Sequence, residues 1–202
     1  ELVTIDAFDF GDLFEEARAA TDPAEIADTI RLAESLWRGR PYQDVDGHAV
    51  LEPEITRLEE LHLLAIETRI AAELDAGHHE EVIGELEVLA ARHPFRERLT
   101  CQLMLALYRT GRQADALAAY RRLHTRLVEE LGIDPSESVR QMEQQILEQD
   151  PSLLVSEPAP SVAQVRAFAL GDLLGEGRYA RVFSARQTSI GRDVAVKAIR
   201  PE

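Results

Sequence analysis

Side chains able to do chemistry are few and scattered in this 202-residue sequence. The histidines are His48, His62, His78, His79, His93 and His124, and the one cysteine is Cys101. Two ligands on one helix face must stand about a turn apart, so the adjacent His78-His79 cannot converge on an ion and reads as a helix start. The other four histidines are isolated from one another along the chain, and no metal site is expected. A single cysteine forms no internal disulfide and no Cys-based zinc site; within an amphipathic stretch, Cys101 reads as a small buried hydrophobe. Lys197 is the one lysine and closes the run Val194-Ala195-Val196-Lys197.

Upstream of that lysine stands Gly175-Glu176-Gly177-Arg178-Tyr179-Ala180-Arg181-Val182, with Lys197 following Val182 at 15 residues. Over residues 166 to 202 this combination resembles the opening strands of a Ser/Thr protein kinase. The resemblance implies a nucleotide-binding hairpin. Gly175 and Gly177 would let backbone amides approach phosphate oxygens, Val182 would cover the adenine, and Lys197 would meet the α and β phosphates, with Leu174 and Ala195 as further cofactor-binding positions. The family's third glycine is Ala180 here, which stiffens the hairpin tip. The lysine's glutamate partner, the His-Arg-Asp loop and the Asp-Phe-Gly metal site do not occur in the 202 residues. The chain is therefore expected to be no enzyme, with no catalytic residue, metal ligand or cofactor of its own; ATP and Mg belong to a complete kinase-like domain. Some 37 residues cannot bury a sufficient core alone.

The elements upstream are read from periodicity. Between residues 8 and 148 apolar residues recur at three- and four-residue intervals with turn signals between them, which predicts about seven helices. Asp22-Pro23-Ala24-Glu25 and Asp134-Pro135-Ser136-Glu137 each predict an Asp cap, a Pro at the first helical position and a Glu three after the cap. Further helices are predicted over 53–76, 79–92, 95–110 and 112–131, punctuated by Gly77, Pro94, Gly111 and Gly132. Leu74-Asp75-Ala76-Gly77 corresponds to Tyr108-Arg109-Thr110-Gly111 at an offset of 34 residues, with Val82, Ile83, Leu86 and Leu89 opposite Ala116, Leu117, Tyr120 and Leu123. That is the tetratricopeptide period. The expected fold is mainly α, built of tetratricopeptide-like helical hairpins, with a short C-terminal β segment; a simple bundle is the alternative. Trp37, Tyr108 and Tyr120 are read as core residues.

Several phrases in this part form an ordered series: Ala33-Glu34-Ser35-Leu36-Trp37-Arg38-Gly39-Arg40-Pro41-Tyr42, Arg57-Leu58-Glu59-Glu60-Leu61, His93-Pro94-Phe95-Arg96-Glu97-Arg98-Leu99, Ala106-Leu107-Tyr108-Arg109-Thr110-Gly111-Arg112-Gln113-Ala114-Asp115-Ala116-Leu117 and Leu131-Gly132-Ile133-Asp134-Pro135-Ser136. Over residues 1 to 148 they resemble the bacterial transcriptional activator domain of the actinobacterial antibiotic regulatory proteins. The resemblance implies a non-enzymatic effector module that contacts other protein domains, the transcription machinery or itself. Any DNA contact would come from an N-terminal winged helix absent from this sequence, and Val3-Thr4-Ile5-Asp6 looks like the connector after it. The resulting organisation is a helical domain over 1–149, a Pro/Ser spacer over 150–165 and a truncated kinase-like fragment over 166–202. Two other readings compete: the regulatory region of a Ser/Thr kinase with no DNA-binding role, and an adaptor that grips a peptide in the groove of its helical hairpins.

Charge narrows the partners. Acids number 37 against 22 basic residues, a net charge of −15 that disfavours nucleic acid. Before residue 163 there are 15 arginines against 33 acids, whereas 7 basic residues face 4 acids after it, a change of sign that suggests two units. Most of this charge is read as solvated exterior. Neither a signal peptide nor an 18-residue apolar stretch is found, so a cytoplasmic address and no membrane partner are expected. A first residue other than Met and a strand-like run just before Glu202 suggest a piece of something longer.

Overall fold

Helix punctuation dictates most of the architecture of the computed structural model, which describes residues 6–43, 49–154, 168–176, 180–187 and 192–199. Among them are seven α-helices: α1 (Asp6–Ala19), α2 (Pro23–Ser35), α3 (Glu52–Asp75), α4 (His79–Arg92), α5 (Glu97–Arg109), α6 (Gln113–Arg126) and α7 (Glu137–Glu148). Three strands follow, β1 (Phe168–Glu176), β2 (Ala180–Gln187) and β3 (Arg192–Ile199). The chain divides into two compact units, Glu1–Val155 and Ser156–Glu202. The fold is mainly α, with tetratricopeptide-like hairpins.

The 34-residue repeat is visible bond by bond. Gly77 and Gly111 take left-handed backbone angles, φ 93° and 77°. After the first helix, the amide of His78 donates to Glu73 O at 2.9 Å; after the second, Arg112 donates to Leu107 O at 2.8 Å. This six-to-one bond with a left-handed residue inside it is the Schellman ending that satisfies orphaned carbonyls and reverses the chain. Both turns then release a helix whose inward face is buried: Val82, Ile83 and Leu86 on α4, Ala116, Ala119 and Leu123 on α6.

Most helices pack chiefly on their sequence neighbours, as stacked hairpins require, while α7 lies mainly against α5. One core joins Ile70 and Leu74 of α3 to Leu86 of α4, Met104 and Leu107 of α5 and Ile146 of α7. A second holds Phe10 and Phe14 of α1 against Ile30 of α2 and Ala65 of α3. Trp37 packs on this second core, half-buried. Tyr108 and Tyr120 are likewise half-buried against the first.

Three local expectations are corrected by tertiary contacts. Asp22 does cap α2, accepting from the Ala24 amide at 3.3 Å, but Asp134 does not cap α7. Ser136, in extended conformation, takes the cap position instead. Its amide donates to Glu97 Oε2 at 2.8 Å and its hydroxyl to the same oxygen, so the first residue of α5 holds the start of α7. α6 stops at Arg126 instead of running to 131; a wider π turn, Leu127–Leu131, carries the chain to Gly132 at φ 68° and sets Leu127 beside Leu123 and Val139 in a small third core. Residues 150–154, read as the start of a spacer, are folded as well. Asp150 accepts from the Ser152 amide at 2.8 Å, and Leu153 is buried in the main core.

The C-terminal unit is an antiparallel meander of order β1-β2-β3. β1 is irregular, with register shifts between Leu170 and Leu173 and between Leu173 and Gly175.

Candidate functional site

Of the six positions assigned to nucleotide binding, the strand register brings three into one row. Val182 in the middle strand pairs with Gly175 of β1 on one side and with Lys197 of β3 on the other. Ala195 pairs with Ser184, two residues along. Leu174 lies beside the row and is exposed. Gly177 falls outside the described residues, as do Arg178 and Tyr179, which complete the link from β1 to β2. A Cβ added at Gly175 would meet nothing within 4 Å, so no neighbouring atom of the protein demands glycine there.

The polar chemistry of the helical unit is structural. Arg69 lies in the interior, where its Nη1 donates to Glu73 at 3.0 Å and its Nη2 to Glu85 at 2.6 Å. Its Nε stands 2.9 Å from Glu34 Oε2 without an aligned hydrogen bond. Arg31 reaches the same Glu73 at 2.7 Å, so two guanidinium groups and three carboxylates tie α2, α3 and α4 together. Burial works against the Arg69 charge, but Glu85, Glu34 and Glu73 outweigh it and hold its pKa above the ordinary value. Burial pushes Glu34 above the usual carboxylate range despite the pull of Arg69. A second clasp surrounds Glu67, which is 1% exposed: Arg96 Nε donates to it at 2.7 Å, and the Gln102 side chain donates to its backbone carbonyl at 2.7 Å. Arg109 holds two carbonyls, Leu74 O at 2.9 Å and Leu153 O at 2.7 Å, closing the end of α3 and fixing the turn after α7. Apart from the i, i+4 pair Arg69 and Glu73 on α3, no local spacing announced these clasps, because their other members are drawn from different helices.

Cys101 is partly buried against the third core, and burial, with Glu97 adding to it, pushes its thiol up to about 11. His62 stacks on Trp37 with ring centroids 4.1 Å apart; burial, and after it Arg69, lowers its pKa. His79 opens α4, as its sequence context suggested. His48 lies outside the described residues. Among the described residues no three His, Cys, Asp or Glu side chains are grouped to hold a metal ion, and no helix is long and apolar enough to cross a membrane.

What the helical unit does offer is a groove of about 890 Å³ between α4, α5 and α6. Its apolar lining comes from Ala90, Leu103, Ala118, Ala119 and Leu123, and its rim carries Arg121, Arg122 and Arg126 together with Glu87, Glu129 and Glu130.

Comparison with known proteins agrees with the helical reading. Residues 5–147 match the family model described as bacterial transcriptional activator domain. The chain is 38% identical over 96% of its length to the regulatory protein AfsR of Streptomyces coelicolor, of which the match spans 21%. It is 37% identical over 79% of its length to the regulatory protein DnrI of Streptomyces peucetius, spanning 60% of that protein. Among solved structures, Mycobacterium tuberculosis EmbR in complex with a low affinity phosphopeptide superposes with a TM-score of 0.70 at 29% identity, covering 96% of this chain and 52% of that one. The chain thus spans about a fifth of the AfsR protein and about half of the EmbR chain.

Proposed function

The chain belongs to the bacterial transcriptional activator domain family, and from that premise we propose that its helical unit is the non-enzymatic contact module of a larger, cytoplasmic transcription regulator. The observation that carries this is the stack of helical hairpins, which buries its ionic chemistry in clasps between helices and leaves a groove, not a reaction centre, at its surface. Its partners are other protein domains, including those of the transcription machinery, and DNA affinity resides in a winged helix elsewhere in the regulator. The EmbR complex with a phosphopeptide supports protein partners for this architecture. The test is to delete residues 6–154 from the intact regulator and assay DNA binding and transcription together. Retained DNA binding with lost activation is expected; undiminished activation would refute the reading.

A second reading concerns the C-terminal unit, which we propose to be the start of a nucleotide-binding, kinase-like domain. Supporting it are the antiparallel meander, the row Gly175, Val182 and Lys197, and the open space above Gly175 where a phosphate would approach. On this reading the helical domain predicted over 1–149 extends through the folded residues 150–154, the rest of the predicted spacer runs to 165, 166–202 is kinase-like, and Leu174, Gly177 and Ala195 complete the binding positions. The chain's own contribution would be to orient a nucleotide; ATP with Mg would supply the phosphoryl chemistry in a complete domain. In the intact protein Lys197→Met should weaken ATP binding at least tenfold while helical content stays unchanged. Unaltered affinity would remove Lys197 from that role. A complete catalytic loop in the intact protein, with no winged helix, would instead make the helical unit the regulatory region of a kinase.

A further inference from the structure

In so acidic a unit, an arginine without a carboxylate is the exception. Of the fifteen arginines among residues 6–154, eleven lie within 4 Å of a carboxylate and Arg109 is held by two carbonyls. The other three, Arg92, Arg121 and Arg122, have no such partner among the described residues. They are not dispersed. Arg121 and Arg122 line the groove between α4, α5 and α6, and Arg92 stands between two residues bordering that groove, Ala91 and Pro94. Two of the three unpaired arginines therefore line this groove, beside a floor of Ala90, Leu103, Ala119 and Leu123, and the third follows a lining residue in the chain.

We propose that this groove docks an acidic amphipathic helix of a partner protein, its apolar stripe on the small-residue floor and its carboxylates on Arg121 and Arg122. The lining elements are helices and a turn, with no free strand edge, so an incoming segment gains nothing from backbone pairing and must bind through side chains. A helix supplies what is needed, apolar and charged stripes repeating at three and four residues. The rim sets a polarity too. Arg126 is already paired with Glu130 at 3.3 Å, and Glu87 and Glu129 also border the groove. The occupant therefore places its acids toward α6 and carries none toward Glu87 on α4. The proposal rests on the helical unit being a contact module and adds the place and the chemistry of the contact.

The test uses the 202-residue chain and fluorescence anisotropy with three labelled peptides of one length: an amphipathic Leu/Ala helix with Glu along one flank, the same helix with Gln there, and the same with Lys. The Glu peptide should bind, the Gln peptide should bind about tenfold more weakly and the Lys peptide should not bind measurably. Arg121→Glu with Arg122→Glu should abolish the preference while circular dichroism stays unchanged. Arg18→Glu with Arg57→Glu, an equal change of net charge at two exposed pairs elsewhere, should leave binding intact. Equal binding of Glu and Gln peptides, or equal loss in the control variant, would overturn the proposal. So would self-association abolished by the groove variant, which would assign the groove to a second copy, or capture of duplex DNA through the same arginines. If no peptide binds while deletion of residues 6–154 still abolishes activation, the groove assignment fails and the contact-module reading stands; if that deletion leaves activation intact, the reading itself has failed.

Discussion

Replacing Arg69 with methionine would leave Glu34, Glu73 and Glu85 facing one another with the Arg31 guanidinium as the remaining cation among them. Breaking a buried pair by removing one partner costs about 3–5 kcal/mol. Urea denaturation of Arg69→Met at neutral pH should show a loss of that order, partly recovered at lower pH as the carboxylates take up protons; an unchanged midpoint would mean the clasp is not formed. His62 gives the opposite pH dependence. Burial disfavours its imidazolium, so the folded protein binds this proton more weakly than the unfolded chain. Its contribution is complete above the ordinary value of 6.5 and drains away as the pH falls through it toward the lower folded value. His62→Phe, which keeps the stack on Trp37, should therefore lose less stability than the wild type between pH 7 and pH 5, measured by thermal unfolding. Little of this was legible in the sequence. Arg69 and Glu67 look like any surface charge on a helix, and only packing of several helices puts them inside.

At the scale of elements, Gly77 and Gly111 occupy equivalent turns with equivalent bonds, and neither has an atom within 4 Å of where a Cβ would sit. Alanine at either position is opposed by backbone strain alone, about 1 kcal/mol. Gly77→Ala and Gly111→Ala should thus destabilise by matching amounts in chemical denaturation, and a large inequality would show that the turns are not equivalent. The helices were readable because periodicity and glycine both mark them, and the 34-residue offset carried the hairpin architecture. The α7 cap was not, since Asp134-Pro135-Ser136 satisfies the local rule in one frame while Glu97, 39 residues away, selects another. The same holds for the turn after α7, where Pro and Ser suggest a spacer but Arg109 captures the carbonyl of Leu153.

At the scale of the whole molecule, a net charge of −15 repels itself, and compaction brings those charges closer. Thermal unfolding should shift upward by several degrees when sodium chloride is raised from about 20 to 300 mM, because screening acts across the whole surface. A falling midpoint would mean that attractive surface pairs such as Arg57 with Glu54 outweigh the general repulsion. Composition made this acidity plain and family phrases made the helical unit plain, but neither located the groove. Its arginines are distinguished only by what they fail to touch, which a linear chain does not display.

The paired glycine turns have a consequence for how such a gene can change. Because the chain re-enters the geometry of Gly77 34 residues later at Gly111, the turn at Gly77 is a seam at which a whole period could be duplicated or excised with both flanking surfaces still matching. A change of half a period would place a first helix where a second belongs. Descent by recombination would then vary this module's length in whole hairpins, lengthening or shortening the reach of the regulator in fixed steps while leaving each turn chemically the same.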